Sequence, residues 1–284
     1  MSLRQIPLPA FQAVEPGQDA LVHIPPGIAL HAMHLEISDD SGLTLEQGAL
    51  GDITVLLNNI PQRQVTGDQM NQIQSANDKD AALKTIGNPG AAGYKTILPI
   101  WLAEPWRKDP AAIRSSAWNL NGVDGLDLKV RIGDDMVNPV LTGWYEFEPS
   151  SAQIGVIVKY LRKTYGAIGD AVEDTLLPRV DLYQAMHFFP TSDGKYVENL
   201  RLVVDGERYR DEISNTRNQI ALLGRGLNPD LSAAPRYDCI FDYDDPINSW
   251  LVAQGRRDFS FHADLNGAAA GTMDVVTVRA GLPN

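Results

Sequence analysis

The chain has 284 residues, with 36 acidic against 24 basic side chains and a formal net charge of −12. That balance argues against a surface built to grip nucleic acid or an anionic membrane, since both need clustered Lys and Arg. A single cysteine, Cys239, excludes an intrachain disulfide, and no apolar run approaches the length of a membrane span.

Residues 1–18 contain Pro7 and Pro9, lack the apolar core of a signal peptide and carry only Arg4 as a basic residue. They read as an extended arm leaving the body of the protein. A first body starts near Asp19. Residues 20–24 form a short strand stopped by Pro25-Pro26-Gly27, 28–37 a second, and 53–57 a third, bounded by turns. Thr66 is placed to cap a short helix over 67–75, with Gln69 three residues on as its capping-box partner. Residues 77–93 are polar, hold Asn88-Pro89-Gly90 and read as a loop. Strands follow at 94–102, 114–120, 126–132 and 141–147. The stretch 126–132 alternates cleanly, with Leu126, Leu128, Val130 and Ile132 on one face.

The junction is Glu148-Pro149-Ser150-Ser151. In 152–165, Ile154, Val156, Val158 and Tyr160 alternate and the β-branched content favours a strand over a helix. Strands are expected at 175–177, 182–189, 200–204, 237–243, 258–263 and 273–279, with a short helix over 215–223 and a Gly/Pro-rich loop over 224–235. Many short strands, one short helix per half and long polar connections suggest antiparallel sandwiches, with a jelly roll as the natural unit.

One stretch occurs twice. Residues 55–73 and 202–220 each begin with three β-favouring apolar residues and then turn, at Asn58-Asn59 and Asp205-Gly206. Both pairs tolerate the positive φ of a tight hairpin. Both stretches end on Asn-Gln-Ile, and 205 − 58 and 220 − 73 both give 147. Upstream, Ile24-Pro25 and Ala32-Met33-His34 answer to Leu177-Pro178 and Ala185-Met186-His187, at an offset of 153 (187 − 34). The chain therefore reads as an arm, 1–18, and two copies of one fold, 19–150 and 151–284.

Chemistry-bearing residues give little. His31 and His34 lie three apart on one strand, so strict alternation points them to opposite faces, one near the surface and one near a loop end. That is poor geometry for one metal, and His187 repeats His34 as a structural position. Asp242, Asp244 and Asp245, and the loop from Asn121 to Asp127, hold oxygen ligands without the ordered spacing of a calcium loop and read as solvated turns. Cys239 sits in a β run and reads as a buried, inert thiol. Trp101, Trp106, Trp118, Trp144 and Trp250 read as core or interface anchors rather than a sugar platform. No catalytic, cofactor-binding or metal residue is assigned.

The paired strand–turn–helix units, Leu176-Leu177-Pro178-Arg179 followed by a strand carrying Met186-His187, and Gly125-Leu126-Asp127 resemble one family. It is that of the double jelly-roll major capsid proteins of tailless, membrane-containing icosahedral bacteriophages, of corticovirus and tectivirus type. The resemblance spans about Asp19 to Arg279. It implies an all-β fold of two tandem jelly rolls with short helices in the connections, three copies forming a pseudo-hexagonal capsomer, and a shell around an internal membrane. It further implies neighbouring capsomers, penton and membrane-associated viral proteins as partners. It implies contact of the arm with the membrane, no direct nucleic-acid binding, and synthesis in a bacterial cytoplasm. The scarcity of basic residues in the arm fits a shell kept from the genome by a bilayer. Two other readings stay open: a two-domain β-sandwich hydrolase acting on glycans or glycopeptides, and, last, a double-barrel metal enzyme, for which the sequence has no His-x-His.

Overall fold

The computed structural model describes residues 3–283 apart from 92, 108, 191–194, 233–234, 242–249 and 267–270. The chain divides into two compact units, 1–158 with 282–284, and 159–281.

Unit 1 contains β1 (Arg4–Pro7), β2 (Asp19–Ile24), β3 (Ile28–Ser38), β4 (Leu50–Leu57), β5 (Ile60–Thr66), α1 (Gly67–Asn77), β6 (Lys84–Ile86), β7 (Lys95–Trp101), α2 (Pro110–Ser116), β8 (Trp118–Asn119), β9 (Leu126–Ile132) and β10 (Val140–Pro149). One antiparallel sheet has the order β1-β10-β3-β7-β6, with β8 also on β3; the other runs β5-β4-β9-β2. The principal strands, counted along the chain as β1, β2, β3, β4, β5, β7, β9 and β10, thus pair as 1-8-3-6 and 2-7-4-5. This is the order of a jelly roll, two four-stranded sheets made by winding one long hairpin.

Unit 2 contains β11 (Ile157–Ile168), β12 (Ala171–Asp174), β13 (Leu182–Pro190), β14 (Tyr196–Val204), β15 (Glu207–Ser214), α3 (Asn215–Gly224), β16 (Tyr237–Ile240), β17 (Leu251–Val252), β18 (Phe259–Asn266) and β19 (Gly271–Gly281). Its sheets run β11-β19-β13-β16, with β17 also on β13, and β12-β18-β14-β15. Counted as before without β17, the orders are again 1-8-3-6 and 2-7-4-5. The duplication read in the sequence is a duplication of topology, and each unit carries one helix between its fifth and sixth principal strands.

Alternation explains the cores. On β9, Leu126, Leu128, Val130 and Ile132 are buried while Lys129 is exposed; on β2, Ala20, Val22 and Ile24 are buried. The core of unit 2 gathers Met186, Phe188, Leu200, Leu202, Phe259, Phe261 and Val275 from its two sheets. The fourth and fifth strands join through the expected turns, with φ of +49° and +63° at Asn58 and Asn59, and +51° and +78° at Asp205 and Gly206. Both central residues have positive φ, the conformation whose twist matches a hairpin. The capping box is present: Gln69 N–H donates to Thr66 Oγ1 at 3.1 Å and Thr66 N–H to Gln69 Oε1 at 3.1 Å. Ser214 caps α3 with its hydroxyl alone, accepting from Arg217 N–H at 3.4 Å.

Several expectations need correction. Arg4–Pro7 is an edge strand on β10, and Gln12 bridges Leu21, so the N-terminal residues join the first sheet pair rather than leave it as an arm. Residues 114–120 are not a strand. Asp109 accepts from Ala111 N–H and Pro110 follows it, starting α2, which only then gives the two-residue β8. β5 and β15 were missed because their residues are largely polar. The strand expected from 152 begins at Ile157, and that expected at 175–177 lies earlier, at Ala171–Asp174. The strand expected to reach 243 ends at Ile240.

The shared Asn-Gln-Ile also falls differently. β5 has one extra residue against β4, between the pairs Val55↔Arg63 and Leu56↔Pro61. β15 has the same bulge, between Leu202↔Arg210 and Val203↔Arg208, and a second one between Leu200↔Ile213 and Leu202↔Arg210. Glu212, in the second bulge, has φ of +52°. That one extra residue puts the caps Thr66 and Ser214 148 apart (214 − 66) rather than 147. Asn215, Asn218 and Leu222 are buried where α1 buries Gly67, Met70 and Gln74. Ile73 is therefore buried, and Ile220, its sequence match, is exposed.

Candidate assembly surfaces

Among the described residues the strands gather buried polar clusters inside the units, three of them around Glu146, Asp238 and Asp174. In unit 1, Ala32 opposes Glu146 and Leu30 opposes Phe147, which leaves His31 as the extra residue of a β-bulge. A bulge resets the alternation of a strand. His31 and His34 accordingly both act on Glu146 instead of pointing apart, and both are buried rather than near the surface. His34 Nε2 lies 3.4 Å from Glu146 Oε1, and its ring stacks on Trp144 at 4.8 Å and meets Trp101 edge-on at 5.4 Å. His34 holds the Glu146 carboxyl below its ordinary value against the upward push of burial, and Gln5 Nε2, donating at 2.7 Å from β1, adds to that. Burial pushes the pKa of His31 down.

In unit 2, His187 on β13 faces Asp238 on β16. His187 Nδ1 is 2.7 Å from Asp238 Oδ1, and Arg236 Nε donates to both carboxylate oxygens, at 2.8 and 3.0 Å. All three side chains are buried. Burial alone would raise the Asp238 carboxyl, but the Arg236 charge and the His187 contact hold it below the ordinary range. Asn218 of α3 donates to the Asp238 carbonyl at 2.8 Å, so this cluster also anchors the helix. His34 and His187 do share a place on the third strand, but the carboxylate comes from the eighth strand in one case and the sixth in the other.

The third cluster centres on Asp174, which accepts from Lys163 Nζ at 2.6 Å, from the Tyr165 hydroxyl, and from Leu176 N–H at 2.8 Å. Burial opposes ionisation there, but these donors hold the carboxyl low. Burial and the neighbouring Asp174 push the Tyr165 phenol up. The carboxylates of these clusters are held by partners within one unit, an arrangement that fixes strands to one another.

The other singled-out residues fall in separate places. Cys239 is buried, and burial raises its thiol. Trp118 is buried under the Arg63 guanidinium, which lies 5.2 Å from the ring centre, while Trp101 and Trp144 flank His34. Asp124 N–H binds Asn58 Oδ1, and Asp127 pairs with His23 at 2.8 Å. Among the described residues no three His, Cys, Asp or Glu converge as a metal site. Asp242, Asp244 and Asp245 lie outside the described residues.

Around α3, unit 2 presents apolar side chains outward. Ile220 and Leu223 on α3 are 64% and 49% exposed, and Leu231 just beyond is 64% exposed. The sequence hid this face, because Asn-Gln-Ile looked like the buried end of α1; only the bulge at Glu212 distinguishes them.

Two jelly rolls of identical strand order in one chain define a double jelly-roll protein. The comparisons then place it. The model of the viral coat protein P2 N-terminal domain matches residues 5–148, half of the chain, and the chain belongs to that family of viral coat proteins. No curated protein matches it by sequence at a significant level. Among solved structures it is similar to the major capsid protein P2 of bacteriophage PM2, at 14% identity and TM-score 0.81, covering 99% of this chain and 98% of that one. It is also similar to a chain in the atomic structure of Sulfolobus turreted icosahedral virus, at 12% identity and TM-score 0.74, covering 100% and 92%. A chain of the PBCV-1 virus capsid matches at 9% identity and TM-score 0.68, covering 98% and 93%. The protein is a viral coat protein with a structural role in the virion capsid, where it assembles with its neighbours into a shell, and it shares its fold with the capsid proteins just named. The hydrolase reading has no support.

Proposed function

We propose that three copies of the chain close into a capsomer of six jelly rolls with a pseudo-hexagonal outline, and that these capsomers tile an icosahedral shell around an internal membrane. The observation that supports this is the repetition of one strand order, 1-8-3-6 and 2-7-4-5, in both units. Two like units per chain make a ring of three chains nearly sixfold, the outline that packs best into a lattice. A closed ring of identical copies uses heterologous contacts, each copy offering one face to the next. Interfaces of this obligate kind bury on the order of 2,000 Å² or more. Penton and membrane-associated viral proteins complete the shell, the protein is made in the cytoplasm of a bacterial host, and the chain makes no direct contact with the genome, in keeping with its net charge of −12. Because β1 is paired into its sheet, residues 4–7 are not assigned to the membrane in this reading.

Light scattering on the purified protein tests the reading. A mass near three times 31.1 kDa supports the capsomer. A stable, folded monomer at micromolar concentration refutes it.

A further inference from the structure

α1 and α3 occupy the same place in the same fold, so each is a control for the other. At the structural offset of 148, Ile220 and Leu223 stand where α1 has Gln72 and Ser75. α1 therefore has half-buried polar groups at positions where α3 shows two exposed aliphatic side chains. Gln219 Nε2 donates to the Asp230 carbonyl at 2.7 Å, which holds the segment carrying exposed Leu231 against the helix. Ile220 and Leu223, three apart on the helix, share its outer face, and exposed Leu231 follows the residue that Gln219 ties to that helix.

The charge of that face also departs from the rest of the chain. Between Glu212 and Asp230 there is no acidic residue, while Arg217 and Arg225 are both exposed. The segment 213–229 contributes +2, so the other 267 residues carry −14 (−12 − 2). A cationic, apolar helix on an otherwise acidic chain is complementary to another copy of that chain, and opposed charges both speed encounter and fix orientation. An aliphatic centre with an arginine rim also matches the composition of protein interfaces, whose cores are depleted of charge and enriched in Arg among the charged residues.

We propose that the outward face of α3, with Leu231 beside it, is the surface on which a second copy of this chain docks. The proposal rests on the capsomer reading and names the face that carries it. In a ring where two unlike units alternate, a face on unit 2 meets the next copy's unit 1, so only one of the two helices needs an apolar exterior. The polar exterior of α1 and the apolar exterior of α3 are then two halves of one arrangement rather than drift.

The test is sedimentation equilibrium on the full chain, comparing the natural protein with I220Q/L223S and with R217E. The first variant copies what α1 itself carries, and all three positions are exposed, so a native circular dichroism spectrum is expected. Removing two apolar anchors from an interface centre should weaken association by about a hundredfold. R217E should weaken it by about tenfold and flatten its salt dependence. If both variants associate as tightly as the natural protein, the proposal is overturned while the capsomer reading stands. A natural protein that is itself monomeric overturns both. Binding to phosphatidylglycerol vesicles that is lost in the variants, with association intact, would assign the face to lipid and likewise overturn the proposal.

Discussion

Replacing Asp238 by alanine tests whether the buried cluster of unit 2 holds its sheet together. The carboxylate takes three contacts, from His187 Nδ1 at 2.7 Å and from Arg236 Nε at 2.8 and 3.0 Å, with all three residues buried. A hydrogen bond to a charged group contributes about 1.5–3 kcal/mol net, so losing both partners' contacts costs about 3–6 kcal/mol. An independent route gives the same range: breaking a buried ion pair from one side costs about 3–5 kcal/mol, because the surviving guanidinium stays desolvated without the charge that faced it. Asp238→Ala is therefore expected to lower the unfolding free energy by about 4 kcal/mol in urea titration followed by fluorescence. Asp238→Asn keeps an acceptor but loses the charge, and should fall between the two. The double replacement R236M/D238L removes the charge pair together and should recover most of the loss, since a buried pair exchanged for apolar groups is often near neutral. If Asp238→Ala shifts stability by less than about 1 kcal/mol, or the double variant is no better than the single, the reasoning fails.

Three further outcomes follow from the same geometry. Asp174 and Asp238 are both held below the ordinary carboxylate value of about 3.9, so the folded state binds fewer protons there than the unfolded chain. Their stabilisation is complete above that value and is lost as pH falls towards their folded values; denaturant midpoints that stay level from pH 5 to pH 3 would contradict this. Thr66→Ala removes the side-chain acceptor of the α1 capping box and should cost about 1 kcal/mol, with the melting temperature as the readout. Gly143→Ala would put a methyl 2.0 Å from the His34 carbonyl oxygen, forcing β3 and β10 apart, and should cost about 3 kcal/mol or prevent recovery of soluble protein; a variant as stable as the natural chain would refute the close approach.

Much of the architecture was legible because it rests on local physics. The alternation of 126–132, the turn pairs at 58–59 and 205–206, and the Thr66–Gln69 capping box are each set by a few adjacent residues, and each is where the sequence placed it. β5 and β15 were not legible, because Gln62, Arg63 and Gln64, or Glu207 to Glu212, give no apolar alternation to read. α2 had its signal in Asp109-Pro110, but the β-rich residues after it dominated the pattern. The histidine cluster and the α3 surface were hidden for one reason. Alternation is inferred by counting, and a single extra residue at His31 or at Glu212 invalidates the count without leaving a mark in composition. The partners Glu146 and Asp238 lie on other strands and Arg236 just before one, so nothing near His34 or His187 announced them.

The extra residue at Glu212 has an evolutionary consequence. A sheet absorbs one inserted residue as a local kink, so the cap and the inner face of the helix that follows keep their places while the numbering against its twin shifts by one. A one-codon lengthening is thus tolerated upstream of the helix without disturbing what the helix buries. In a chain that carries the same fold twice, one half can take that step, and vary the side chains its helix shows to the outside, while the other keeps the original arrangement.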